Sequence, residues 1–195
     1  MELILVRHGL PVRQELDTGR ADPGLSTIGH RQAELVARWL EPIRIDAVYS
    51  SPMIRARQTA GPYEQLSGRS AVVHEGVAEF GREARSYVPT EELKVDDYEA
   101  WRALADRGGI SEVELNTFSS AVVRAMKEII ASHKSETALV FCHGGVINVW
   151  ACHVLGLPSR MFFEPIYTSV NRFLCASSGE RNIASLNEAA HLRDL

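Results

Sequence analysis

Two apolar runs in this chain end in the same way. Glu2–Val6 gives directly onto Arg7-His8-Gly9, and the run in "TALVFC" gives onto His143-Gly144-Gly145. Short apolar runs without polar alternation are the pattern of strands covered on both faces. That restricts the chain to folds in which helices cover both sides of a sheet. It also delivers two histidines, each followed by glycine, to strand ends.

The stretches between these runs agree. "STIGHRQAELVARWL" places Ile28, Leu35, Val36, Trp39 and Leu40 at helical spacing; Ser26 or Thr27 can cap its start and Pro42 ends it. "DAVYS" and "AVVH" read as short strands. "SPMIRARQTAGPYEQL" reads as a helix with Ser51 as N-cap and Pro52 in its first position. "FSSAVVRAMKEIIASH" carries Phe118, Val122, Ala125 and Ile129 on one stripe, and "VINVWACHVLGL" is a helix closing near Gly156. "NRFLCAS" and "NIASLN" read as two late strands. The expected fold is an α/β three-layer sandwich, a mostly parallel sheet with helices on both faces. The expected organisation is a single domain over 1–195. The polar, weakly periodic region 79–114 is a cap or insertion on it.

Composition removes several functions. At 195 residues and 45% hydrophobic content the chain can bury one sizeable core. A net charge of -4 with no basic stripe argues against nucleic-acid or anionic-membrane partners. No run approaches the ~20 apolar residues of a membrane span, and Met1 leads into a strand rather than a signal peptide. Three cysteines, Cys142, Cys152 and Cys175, are an odd count that suits reduced thiols and a cytoplasmic location.

In open α/β sheets ligands sit beyond the carboxyl ends of the strands. Here those ends carry Arg7 and His8, then Arg55 from the start of a helix, then His143 and the Gly144 turn. Arginines beside helix N-termini and free backbone N–H groups make an anion site. Two arginines and two histidines in one pocket suit a phosphoryl group.

"LVRHG", "SSPMIRARQTA" and "VFCHGG", with "GRADPGLSTIGHRQA" between, resemble in order the histidine phosphatase superfamily, the phosphoglycerate mutase-like family. The resemblance spans the chain, with 79–114 least covered. It implies a phosphohydrolase in which His8 forms a phosphohistidine, while Arg7, Arg55 and His143 hold the phosphoryl oxygens. Neighbouring cations would depress the pKa of His8. The family's general acid follows the third strand, which points to Glu79, with Glu75 or Glu83 as alternatives. Gln14 stands where many members place a phosphate-touching asparagine. Leu10 and Pro11 replace the usual acidic and hydroxyl residues, and the W-E-G after the acid is absent.

Other residues carry plainer readings. Arg57 reads as a solvated helix arginine, Asp22 as a loop residue, and Trp39, Trp101 and Trp150 as packing residues. Cys142-His143 and Cys152-His153 lack zinc-ligand spacing, so no metal is expected, and no cofactor. The expected partner is a small phosphorylated substrate, with a homodimer left open. Hydrolysis is favoured over phosphoglycerate mutation or phospho-ligand binding alone, because no long C-terminal lid follows "NEAAHLRDL". Arg82 and Arg85 are candidates for a second anionic group on the substrate.

Overall fold

A computed structural model describes residues 1–107 and 111–195. The elements in chain order are β1 (Glu2–Arg7), β2 (Gln14–Glu15), α1 (Thr27–Leu40), β3 (Ala47–Ser50), α2 (Ile54–Ser67), β4 (Val72–Val73) and β5 (Ser86–Tyr87). Then follow α3 (Thr90–Asp96), α4 (Tyr98–Arg107), α5 (Glu112–Ser132), β6 (Thr137–Cys142), α6 (Gly144–Leu155), β7 (Val170–Cys175) and β8 (Arg181–Glu188).

Six strands form one sheet in the order β4-β3-β6-β1-β7-β8. The four on the β4 side run parallel, and β7 and β8 add an antiparallel edge. Strand alternation divides the core. Leu3, Leu5, Val140 and Phe173 pack with Val122, Met126, Ile129 and Trp150 of α5 and α6 on one face. Ile4, Val6, Leu139 and Phe141 pack with Val36, Leu40, Ala60 and Tyr63 of α1 and α2 on the other. Both faces of β1 and β6 are covered, which is why those runs lack polar alternation. The three-layer α/β sandwich read from the sequence is present.

The helix starts agree at α1 and differ at α2. Ser26 caps α1 as read, its Oγ accepting from Gly29 N at 3.0 Å. α2, however, begins at Ile54 with Met53 as an N-cap that makes no side-chain bond. Ser51 accepts from Met53 N at 3.2 Å and is otherwise engaged with His143. The orphan donor Ile54 N is met from outside by the Asp22 carboxylate, at 3.1 Å to Oδ1. So Asp22 is a capping group for α2 as well as a loop residue.

The region 79–114 is more ordered than its weak periodicity implies. It holds β5, which pairs antiparallel with β2, then α3 and α4, and ends in the first turn of α5. Residues 108–110 of that region lie outside the described ones. α5 starts at Ser111 with a full capping box to Glu114, well before the apolar stripe at Phe118. Of the three tryptophans only Trp150 is fully buried; Trp39 is 43% exposed. All three cysteines are buried and free. Among the described residues no helix is long and apolar enough to cross a membrane.

Candidate active site

Sheet register sets the geometry of the site. β1 and β6 pair in parallel with Arg7 opposite Cys142, so His8 and His143 leave the sheet at the same level. His8 N donates to Cys142 O at 3.0 Å, and the two imidazole rings lie 5.1 Å apart. β3 pairs β6 with Ser50 opposite Phe141, which brings Ser51 beside His143; Ser51 Oγ is 2.7 Å from His143 Nε2. Arg55, in the first turn of α2, reaches back so that its Nε donates to His8 Nε2 at 3.2 Å.

These bonds fix the tautomer of His8. Its Nδ1 lies 2.8 Å from Gly9 O, which can only accept, so Nδ1 carries the proton. Nε2 accepts from a guanidinium and holds a lone pair. Burial holds His8 well below the usual histidine range, reinforced by Arg55, His143 and Arg7 in that order; the bond to Gly9 O opposes them. Charge from the arginines, expected as the cause, is secondary to desolvation. Burial likewise lowers His143, with Arg55 and then Arg7 adding to it.

The His8 turn is clamped against its neighbours. Gly9 N donates to Thr59 Oγ1 at 2.9 Å, and Thr59 Oγ1 donates to Arg55 O at 2.7 Å. A Cβ on Gly9 would fall 2.6 Å from Gly29 O, so the glycine is required by close approach to α1.

Both arginines are buried, Arg7 at 6% exposure and Arg55 at 2%. Arg7 donates through NH1 to Pro165 O and stacks at 3.8 Å over the Tyr167 ring. Arg55 lies 4.7 Å over the Tyr87 ring, and its NH1 is 3.6 Å from Asp22 Oδ1. Arg7 Nε, Arg55 NH1 and His143 Nδ1 are buried without hydrogen-bond partners. Buried donors are nearly always paired, and two buried cations with spare N–H groups fit an anion.

Glu79 approaches from the loop after β4. Its Oε2 accepts from Gly145 N at the start of α6 and its Oε1 from Phe80 N, each at 3.0 Å. Burial pushes its carboxyl above the usual range; those two N–H groups, Arg55 and Arg7 pull the other way. A Cβ on Gly145 would overlap Glu79 Oε1, so that glycine makes room for the carboxylate.

These residues open on a cavity of about 540 Å³. Arg7, His8, Arg55, Glu79 and Gly144 form its inner end, and Phe80, Tyr87, Trp101 and Met161–Pro165 are among its outer walls. His143 and Gln14 are not among the wall residues. His143 is fully buried, its ring beside that of His8. Gln14 sits on β2 opposite Tyr87, its Oε1 buried and unpartnered. Glu75 is exposed and paired with Arg82 at 2.9 Å, and Arg85 donates to Asp17 O at 3.5 Å. Arg57 is exposed, as read. Trp101, read as a packing residue, is a wall of the cavity. Among the described residues no group of three or more His, Cys, Asp or Glu side chains is arranged to hold a metal ion.

Sequence reasoning missed Thr59, Pro165, Tyr167 and Asn148. Asn148 Oδ1 accepts from Phe162 N at 2.9 Å and Phe163 N at 3.3 Å, while Nδ2 donates to Gly144 O and Phe163 O at 3.0 Å. An asparagine in the apolar first half of α6, between Ile147 and Val149, is the signal that could have found it.

Fold and pocket together define an α/β protein with two buried arginines and two buried histidines gathered at the carboxyl edge of its sheet. The chain belongs to the histidine phosphatase superfamily (branch 1), whose family model matches residues 3–188. It is an enzyme of the phosphoric monoester hydrolase class. It is 26% identical over 202 residues to a phosphoserine phosphatase of Hydrogenobacter thermophilus, covering 98% of this chain and 94% of that one. It is 28% identical over 210 residues to a phosphoglycerate mutase-like protein of Arabidopsis thaliana, covering 99% and 87%. In fold it is similar to the solved mycobacterial glucosyl-3-phosphoglycerate phosphatase. That match has a TM-score of 0.77 at 19% identity and covers 97% of this chain and 99% of that one.

Proposed function

We propose that this enzyme hydrolyses small phosphomonoesters through a phosphohistidine on His8. The observation that carries the reading is the fixed tautomer of His8 beside two buried arginines with unpartnered N–H groups. The Arg55 N–H turns from His8 Nε2 to a phosphoryl oxygen, and the freed Nε2 lone pair attacks phosphorus as the bond to the ester oxygen breaks. Arg7 and Arg55 hold the equatorial oxygens and offset the charge gathering on them. Ser51 Oγ accepts from Met53 N and can give its proton to His143 Nε2. That leaves His143 Nδ1 as a neutral donor for a further oxygen. Gly144, at the N-terminus of α6, lines the phosphoryl end.

Glu79, raised by burial, supplies the proton that the leaving alkoxide needs. As a carboxylate it then takes a proton from water, which attacks the phosphohistidine. The P–N bond breaks, inorganic phosphate leaves and His8 is restored. Glu75, exposed and tied to Arg82, has no place in this scheme, and Gln14 has no direct part.

Hydrolysis is favoured over phosphoglycerate mutation by the outer cavity. A mutase must hold a bisphosphorylated intermediate, and Arg82, the one described cation on the outer wall, is already paired with Glu75 and Glu83. The test is incubation with phosphomonoesters in EDTA. The reading expects inorganic phosphate to be released undiminished. Interconversion of 2- and 3-phosphoglycerate stimulated by 2,3-bisphosphoglycerate, with little free phosphate, would replace it with the mutase.

A further inference from the structure

The cavity changes character along its length. Its inner end is cationic. Beyond it lie Phe80, Tyr87, Trp101, Met161, Phe162 and Phe163, drawn from the region after Glu79 and from the loop between α6 and β7. None of these six is fully buried. Together they give the cavity a continuous stretch of large apolar surface, with Phe162 and Phe163 also seated on the core beneath.

The wall is also built rather than incidental. Asn148, 1% exposed, spends both ends of its amide on it. Two backbone N–H groups and one carbonyl of Phe162–Phe163 are satisfied by that side chain, and its remaining bond goes to Gly144 O at the phosphoryl end. The aromatic loop is thereby set at a fixed distance from the start of α6. The Phe162 and Phe163 rings lie 4.9 Å apart, and Phe80 packs edge-on to Phe118 at 5.5 Å. Preorganised aromatic surface of this kind binds at low ordering cost.

Charge on the outer wall offers little to an anion. Arg82 meets Glu75 Oε2 at 2.9 Å and Glu83 Oε1 at 3.5 Å, and the other charged side chain on the outer wall is the Glu164 carboxylate. Lys94 stands 4.6 Å over the Trp101 ring, outside the wall residues. A volume of about 540 Å³ is that of a site for a drug-sized ligand, well beyond a phosphoryl group on a three-carbon acid.

We propose that the leaving-group end of this cavity is built for a neutral, apolar moiety at least the size of an aromatic ring, and not for a second anion. The substrate class is then the phosphate monoester of a hydrophobic alcohol. This rests on the phosphomonoesterase reading for the inner end, but the recognition can be measured without turnover.

The probes are two non-hydrolysable phosphonates of equal reach, 3-phenylpropylphosphonate and 2-amino-4-phosphonobutanoate, titrated into the wild-type enzyme by calorimetry. The phenyl compound is expected to bind at least tenfold more tightly. Phe162→Ala, and separately the more peripheral Trp101→Ala, should each narrow that ratio severalfold while leaving the affinity for inorganic phosphate within twofold. Two results overturn the proposal. One is equal or tighter binding of the amino acid phosphonate, abolished by Arg82→Ala. The other is binding of both compounds no tighter than inorganic phosphate. Turnover of 4-nitrophenyl phosphate, run in parallel, keeps the two readings apart. Absence of turnover with the phenyl preference intact would sink the hydrolase and leave the pocket.

Discussion

Arg55 Nε donates to His8 Nε2 at 3.2 Å, and that bond decides which nitrogen of His8 keeps its lone pair. The same guanidinium leaves NH1 buried beside it without a hydrogen bond, 3.6 Å from Asp22 Oδ1. One side chain thus orients the nucleophile assigned here and offers a donor to the group it would attack.

Arg55→Ala should lower kcat on 4-nitrophenyl phosphate by about 100- to 1000-fold, the usual loss for one preorganised donor. Arg55→Lys should recover little, because an ammonium offers its N–H groups from one atom and cannot span the separate positions of Nε and NH1. Steady-state kinetics check this; a lysine variant within tenfold of wild type would contradict it.

Gly145 and Glu79 share one space. Gly145→Ala places a methyl group on Glu79 Oε1 and should displace the carboxylate. The loss should match that of Glu79→Gln, falling heavily on alkyl phosphates and lightly on 4-nitrophenyl phosphate, whose leaving group needs no proton. Equal loss on both substrate types would make Gly145 a packing residue and remove Glu79 from proton transfer.

The two shifts set the pH profile. His8 is lowered, so its neutral form persists into acid; Glu79 is raised, so its protonated form persists upward from the usual carboxylate range. For an alkyl phosphate kcat/KM should fall on the acid side as His8 protonates and on the alkaline side as Glu79 ionises. Glu79→Gln should flatten the alkaline limb alone. A profile unchanged in that variant would contradict the assignment.

Stability should depend on pH through the same pocket. His8 and His143 have folded-state values well below 6.5, so below about 6.5 the unfolded chain binds protons that the folded one does not. Stability is full above that value and is lost as pH falls, by up to about 1.4 kcal/mol per pH unit for each group. Thermal unfolding between pH 7.5 and 5.5 checks it: Tm should fall, and fall less steeply in His8→Asn.

Strand ends were readable because both determinants are local. A doubly covered strand needs an unbroken apolar run, and His-Gly after it breaks that run abruptly, so β1, β6 and their histidines stood out. Ser51 was misread because Ser-Pro is a good local helix start; only the β3–β6 register shows that its hydroxyl lies at His143. The beginning of α5 escaped because Val113 is 74% exposed, so no apolar stripe precedes Phe118. The Ser111-x-x-Glu114 capping box was nevertheless legible in the chain. α3 and α4 are short and polar, and periodicity carries little signal there. Thr59, Asn148 and Asp22 act across distances that no sequence window spans.

The central claim is the covalent intermediate on His8. Wild-type enzyme mixed with ³²P-labelled substrate and quenched in alkaline detergent within its first turnovers should carry label on the protein. That label should survive alkali, be lost in mild acid, map to the peptide holding His8, and be absent from His8→Ala. Label on another residue, or a His8→Ala enzyme that turns over near the wild-type rate, would contradict it.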